Sequence, residues 1–259
     1  MKPRNILVLG ASSKGGVGWV TAQRFARRGA KVAVSARRRD TLDQLAGEIG
    51  GIPVACDVSD EAQVRALAQT LKDELGHLDA IVNAVGLVAP GTLATAGVAD
   101  LQHAFCVEYI GLFLVLKHVA PLVADGGAIV NVSSLASTHY VAGMLPYAGA
   151  KAAANNLVKY AAVELAPRRI RVNAMIPGTI DTPMLDTIRH NVAVMDAITK
   201  EVPLGRVATP EEIAAAAEWL CAAECFMTGC LVPVDGGNHL RRPPFPEDMP
   251  ASVFDAKSA

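Results

Sequence analysis

Three things are scarce in this sequence, and each scarcity removes a class of protein. An excess of charge of one sign is lacking: 24 lysines and arginines face 25 aspartates and glutamates. That balance gives no basic surface for nucleic acid or an anionic membrane. Uninterrupted apolar runs approaching the ~20 residues of a membrane span are lacking as well, although 51% of the residues are hydrophobic. The run Ile6–Leu9 is too short for a signal peptide and stops at Gly10, so a cytoplasmic location is expected. Zinc-spaced cysteines are the third lack. Cys56 and Cys106 stand alone, and Cys221, Cys225 and Cys230 cluster without a Cys-x-x-Cys pair or a histidine partner. No metal is expected, and the thiols read as buried and reduced.

What is present is an alternation of short apolar runs with helical patterns along 259 residues, the size of one large α/β domain. Strands are predicted at Asn5–Leu9, Lys31–Ser35, Ile52–Cys56, Asp79–Asn83, Ala128–Val132, Ile170–Met175 and Leu231–Val234. Helices are predicted at Val17–Arg28, Arg39–Ile49, Asp60–Leu75, Asp100–Val123, Pro146–Leu165 and Pro210–Ala223. Apolar strands alternating with helices imply a single-domain, doubly wound α/β fold, a seven-stranded parallel sheet with helices on both faces. The domain is expected to span residues 1–240, and the proline-containing tail 241–259 reads as an extended arm or a disordered end.

The first strand runs into Gly10-Ala-Ser12-Ser13-Lys14-Gly15-Gly16-Val17-Gly18 and then a helix. Glycines there let the backbone approach a pyrophosphate, and the helix N-terminus adds amide donors and a favourable dipole. At the end of the second strand an acidic residue near Ala36 would have held the ribose hydroxyls of NAD. It is absent, and Arg37 follows. Arg37, with Lys14, suits a 2′-phosphate, so NADP(H) is expected over NAD(H).

Tyr147 and Lys151 are four residues apart in a predicted helix, which puts both on one face. An ammonium beside a phenol favours the tyrosinate, which can exchange a proton with a substrate oxygen. Ser134 lies at the end of the fifth strand, where parallel α/β folds place ligands.

With these motifs in order, the sequence resembles the short-chain dehydrogenase/reductase family, of the Tyr-x-x-x-Lys type and similar to its 3-oxoacyl-carrier-protein and other ketone reductases. The match spans about Asn5 to Gly237. It includes Asp57-Val58, Asn83-Ala84-Val85-Gly86, Asn131-Val132-Ser133-Ser134, Arg171-Val172-Asn173-Ala174, Pro177-Gly178-Thr179-Ile180-Asp181-Thr182, Thr228-Gly229 and Asp235-Gly236-Gly237. The resemblance implies that Ser134 hydrogen-bonds the substrate oxygen and Tyr147 is the acid/base. Lys151 then holds the nicotinamide ribose and tunes Tyr147. It also implies that the cofactor is seated by Gly10, Ser12, Ser13, Lys14, Gly16, Val17, Gly18, Arg37, Asp57, Val58, Asn83, Ala84, Gly86, Pro177, Gly178, Ile180 and Thr182. Family members are commonly homotetramers, and the small residues Ala148–Ala150 and Ala152–Ala154 leave helix faces free for such packing.

Two departures stand out. Five residues separate Gly10 from Gly16, where the family usually has three. That spacing is closer to the enoyl-reductase branch, whose tyrosine and lysine are, however, further apart than here. The second departure is Glu108, where the family usually has an asparagine that supports a relay water behind the lysine. Glu108 could point away, pair with Lys151, or hold that water as a proton acceptor, and the third reading is the expected one. A ketone/alcohol oxidoreductase is the leading function. An enoyl-reductase-like enzyme and a non-catalytic cofactor-binding relative are the alternatives. The substrate pocket is expected from Leu87–Leu93, Leu135–Leu145 and a loop of about 183–205. Those stretches include Val88, Leu135, Tyr140, Val141, Met144, Leu145, Met184, Leu185 and Met195, which suit an apolar small molecule rather than a sugar. His139 and His190 read as loop surface.

Overall fold

The computed structural model describes residues 4–186 and 188–248. Seven strands form one parallel sheet: β1 (Asn5–Leu9), β2 (Lys31–Ala36), β3 (Ile52–Ala55), β4 (Leu78–Asn83), β5 (Val123–Val132), β6 (Arg171–Pro177) and β7 (Leu231–Val234), in the order 3-2-1-4-5-6-7. Alternation along β1 feeds both faces. Leu7 and Leu9 join one core cluster with Val64, Leu67, Leu112 and Val158, while Ile6 and Val8 join another with Trp19, Phe25, Leu42 and Ile213. Burial on both faces is why the central stretches of these strands, such as Ile6–Leu9 and Ala128–Val130, are apolar without alternation.

The helices are α1 (Val17–Arg27), α2 (Arg39–Ile49), α3 (Glu61–Leu75), α4 (Val98–Phe105), α5 (Gly111–His118), α6 (Leu145–Glu164), α7 (Val192–Lys200) and α8 (Pro210–Cys221). Their ends follow local chemistry. Asp60 caps α3 by accepting from the amides of Ala62 and Gln63, and Thr209 and Glu212 form a capping box on α8. The predicted helices and strands are present, with three changes. The expected helix to Val123 ends at His118, and Val123 already belongs to β5, which therefore starts earlier than Ala128. Pro121 lies between them; it has no N–H to donate and restricts Ala120 before it. The same helix is broken by a π-turn, Cys106–Ile110, which joins α4 to α5. Finally, α7 stands within the stretch expected to be a substrate loop.

By length and composition the segment Val98–Leu122 would pass for a membrane span, with mean hydropathy 1.6. Here it packs beside α6 and α3 and carries the buried Glu108. The start of the tail does not extend away from the domain. Arg241 donates to the Lys200 carbonyl, Pro243 and Pro244 are buried, and Phe245 packs edge-on against Tyr140 with ring centroids 5.8 Å apart. Residues 249–259 of the predicted tail lie outside the described residues.

Candidate active site

The strand order reverses direction between β1 and β4, and a cavity of about 390 Å³ opens at their carboxyl ends. Its walls come from the loop after each strand of the first half: Gly10, Ser12 and Ser13 after β1, Ser35–Arg38 at β2, Cys56–Val58 after β3 and Ala84–Val88 after β4. Pro183 and Met184 close it from the far side, with His103 and Val107 of the composite helix. Burial pushes the Cys56 thiol up to about 12, helped by Asp57 and Asp60, so no thiolate is available there at neutral pH.

Backbone contacts fix the loop. Gly10 has φ +76°, and a Cβ there would fall 2.3 Å from the Ala84 carbonyl oxygen; one on Gly18 would fall 2.5 Å from the Gly10 carbonyl oxygen. Only glycine lets β1, β4 and the start of α1 approach this closely. Arg38, at the N-cap of α2, reaches back to donate to the Ser12 carbonyl at 2.7 Å. Arg37 lies by Asp57. Burial works against that carboxylate, but the Ser59 hydroxyl and amide, with Arg37 nearby, hold it below its usual range. Ser35 has a buried hydroxyl without a partner in this wall. A tight glycine loop, an orphaned hydroxyl and two guanidinium groups at one end fit a nucleotide with phosphates.

Behind Gly86 of the cavity wall the buried polar groups gather on α6; Ser134, Tyr147 and Lys151 are not themselves among the residues lining this cavity. Lys151 is 3% exposed, and its Nζ lies 5.7 Å from the centroid of the Tyr147 ring one turn earlier. It donates to the Val132 carbonyl at 2.9 Å and the Val85 carbonyl at 3.3 Å, and pairs with Glu108 Oε2 at 2.7 Å. Burial acts to depress the lysine, yet Glu108 and Tyr147 carry its pKa above the ordinary value. The expected part for Glu108, holding a relay water, is corrected. Its carboxylate contacts Lys151 directly, and Oε1 accepts from the Leu87 amide at 3.1 Å. The π-turn rotates Glu108 inward, to 4% exposure. Ser134 caps the short helix after β5, its Oγ accepting from the Ala136 amide, which leaves the hydroxyl hydrogen to donate.

Other predicted residues sit further back. Lys14 is exposed on the loop outside the cavity wall, and Gly16, Val17 and Gly18 form the start of α1 behind it. Asn83 binds Asn131 across the sheet at 2.8 Å and accepts from the Val85 amide, so it shapes the loop. Pro177 ends β6, Gly178 packs on Asp235, and Ile180 bridges to Ala208. The Thr182 carbonyl is held by Arg189, next to the cavity-lining Pro183 and Met184. In the expected substrate walls, Gly91 pairs with Met144, Val88 and Met184 line the cavity, and Leu135 is buried. His190 is exposed, while His139 is partly buried and contacts the His239 carbonyl at 3.2 Å.

Sequence reasoning passed over Arg38, although it stood in the same arginine run. It also passed over a buried chain behind Ser134. Asn155 Nδ2 donates to Ser137 Oγ at 2.7 Å, and Ser137 Oγ donates to the Ser134 carbonyl at 2.6 Å. Asn155 continues the four-residue step of Tyr147 and Lys151, which is the signal that could have found it.

A parallel sheet with a crevice at the β1/β4 reversal and a Tyr-x-x-x-Lys helix beneath it defines a Rossmann-like oxidoreductase architecture. The family model described as enoyl-(acyl carrier protein) reductase matches residues 10–239. A 3-oxoacyl-[acyl-carrier-protein] reductase of Thermotoga maritima is 33% identical, over 89% of this chain and 96% of that protein. A cis-4-hydroxycyclohexanecarboxylate dehydrogenase of Sinomonas cyclohexanicum is 36% identical, over 90% and 96%. A short-chain type dehydrogenase/reductase from Mycobacterium ulcerans superposes with a TM-score of 0.91 at 28% identity, covering 98% of this chain and 96% of that one. The chain belongs to the short-chain dehydrogenase/reductase family, and is an oxidoreductase of the kind acting between CH–OH and C=O.

Proposed function

We propose that this enzyme transfers a hydride between NADP(H) and a ketone or secondary alcohol of an apolar small molecule. The observation that carries the reading is the buried ammonium of Lys151 behind Gly86 of the cavity wall, one turn from Tyr147. Bound nicotinamide supplies or accepts the hydride. Ser134 donates a hydrogen bond to the substrate oxygen, and Tyr147 gives or takes its proton. Lys151 keeps a positive charge beside the phenol and offers a donor to the cofactor ribose. Gly10, Ser12 and Ser13 would hold the pyrophosphate, and Asp57 and Val58 the adenine; all five line the cavity.

NADP(H) is favoured because Ala36 replaces an acid and Arg37 and Arg38 face the same end of the cavity. A solved relative of 26% identity is described as an NADPH-dependent reductase. Apolar substrate is favoured by Val88 and Met184, which line the cavity and are half exposed. The relatives' own substrates range from acyl thioesters and alicyclic alcohols to D-threitol. The free thiols suit a reducing cytoplasm. Exposed Phe105, Ile110 and Phe113 on the composite helix, with Tyr160 and Val163 on α6, suit a homotetramer. Light scattering giving a monomer mass would overturn that assembly.

The test titrates NADPH and NADH by fluorescence and then follows turnover on ketones, secondary alcohols and enoyl thioesters. NADPH should bind at least about tenfold tighter, and the Arg37→Ala/Arg38→Ala variant should erase the difference. Tyr147→Phe should lower turnover by about 10²- to 10⁴-fold. Equal or inverted cofactor affinity sinks the NADP(H) assignment. The long glycine loop favours one second reading, an enoyl reductase, and turnover confined to enoyl thioesters would establish it instead.

A further inference from the structure

Lys151 and Glu108 are both 3% exposed, whereas every other ion pair among the described residues has at least one partner more than a quarter exposed. An ammonium has three hydrogens. Here they meet three acceptors: Glu108 Oε2 at 2.7 Å, the Val132 carbonyl at 2.9 Å and the Val85 carbonyl at 3.3 Å. The second oxygen of Glu108 is occupied by the Leu87 amide. The carboxylate therefore joins three elements: the π-turn, the loop after β4 and α6. Gly86, which lines the cavity, lies against the pair. A Cβ built there would lie 3.9 Å from Lys151 Nζ and 3.7 Å from Glu108 Oε1.

We infer that Glu108 is a positioning residue of the hydride-transfer site, the fixed counter-ion that keeps Lys151 protonated inside the protein and held against Gly86 of the cavity wall. The inference rests on the function proposed above. A buried ammonium without a partner loses its proton or destabilises the fold. With Glu108 in place, a cofactor hydroxyl needs to displace only the longest of the three contacts, the one to Val85, and the lysine keeps its charge. The titratable groups around the pair are few. Tyr147 precedes Lys151 by one turn, His103 lines the cavity from α4, and Cys106 and Tyr109 share the π-turn with Glu108.

Glu108→Gln keeps the shape and removes the charge. Lys151 should then lose its proton at lower pH, because burial acts unopposed by the carboxylate. NADPH affinity and turnover in Glu108→Gln should fall on the alkaline side at least one pH unit earlier than in the native enzyme. Turnover should fall more than KM rises, and Glu108→Asp should restore most of the alkaline range. Superimposable pH profiles for the native and Glu108→Gln proteins would overturn the inference. A second arm needs neither cofactor nor substrate. The melting temperature of the Glu108→Gln/Lys151→Met double variant should exceed that of Glu108→Gln alone, since both buried charges are then gone. No recovery in the double variant would equally overturn it. A native protein inactive on every ketone and alcohol would instead sink the proposed function, and the melting arm would still decide the ion pair.

Discussion

At Gly10 a Cβ would fall 2.3 Å from the Ala84 carbonyl oxygen, whereas across the cleft Arg189 clasps Asp181, Asp186 and the Thr182 carbonyl with one long side chain. On the nucleotide side the tightest constraint is backbone against backbone at Gly10 and Gly18, with Arg38 on the Ser12 carbonyl added to it. On the substrate side, side chains reach over loops: Arg189 on the Thr182 carbonyl, Arg241 on the Lys200 carbonyl, and His139 on the His239 carbonyl. Backbone approach admits one residue type and one geometry. A side-chain clasp on a loop can be replaced by another clasp, so this side is free to follow a substrate. A cofactor common to a family and a substrate particular to one enzyme fit that division.

The largest effect is expected at the glycine loop. Gly10→Ala adds a methyl into the Ala84 carbonyl at a residue whose φ of +76° already disfavours a side chain. Overpacking of this kind costs about 1–3 kcal/mol or more, and backbone strain about 1–3 kcal/mol more. The expected outcome is loss of NADPH binding in a fluorescence titration and a clear fall in melting temperature. Native-like cofactor affinity would show that the loop is not held by this approach.

A smaller effect is expected at the junction of the two sides, the chain from Asn155 through Ser137 to the Ser134 carbonyl. Ser137→Ala leaves the buried Asn155 amide unsatisfied, which costs about 1–3 kcal/mol. Turnover should fall several-fold through displacement of Ser134, with cofactor affinity unchanged. Ser137→Ala/Asn155→Leu removes both polar partners and should regain stability without regaining turnover. Recovery of both together would make the chain a packing feature unrelated to Ser134.

This division also explains what was legible in the sequence. The strands and helices of the nucleotide side lie within a residue or two of expectation, because apolar periodicity, caps and glycines are local signals. The Tyr147–Lys151 step and the end of β5 were equally local. The π-turn was not, since a bulge of one residue leaves no mark on composition, and with it went the direction of Glu108. Helix α7 was missed because its short apolar pattern sits between loops whose contacts come from distant residues. The fold-back of the tail was missed for the same reason: prolines read as an extended arm, but Arg241, Tyr140 and Phe245 decide the outcome through partners about 40 to 105 residues away.

The mildest test is at that tail. Phe245 lies edge-on to Tyr140, and the Arg242 guanidinium sits 4.2 Å from its ring centroid while pairing with Asp248. Tyr140 follows the short helix that Ser134 caps, so the aromatic pair stands on the substrate side of the cleft. An edge-to-face pair contributes about 0.5–1.5 kcal/mol beyond the area it buries. Phe245→Ala should therefore raise KM for a bulky apolar ketone by roughly three- to tenfold. It should leave NADPH affinity and turnover of a small ketone as they are, because neither Tyr140 nor Phe245 is among the residues lining the nucleotide cavity. Steady-state kinetics on a short and a long substrate separate the outcomes. Equal changes for both substrates would mean that Phe245 supports the loop as a whole, whereas a change confined to the long one assigns the tail to substrate recognition.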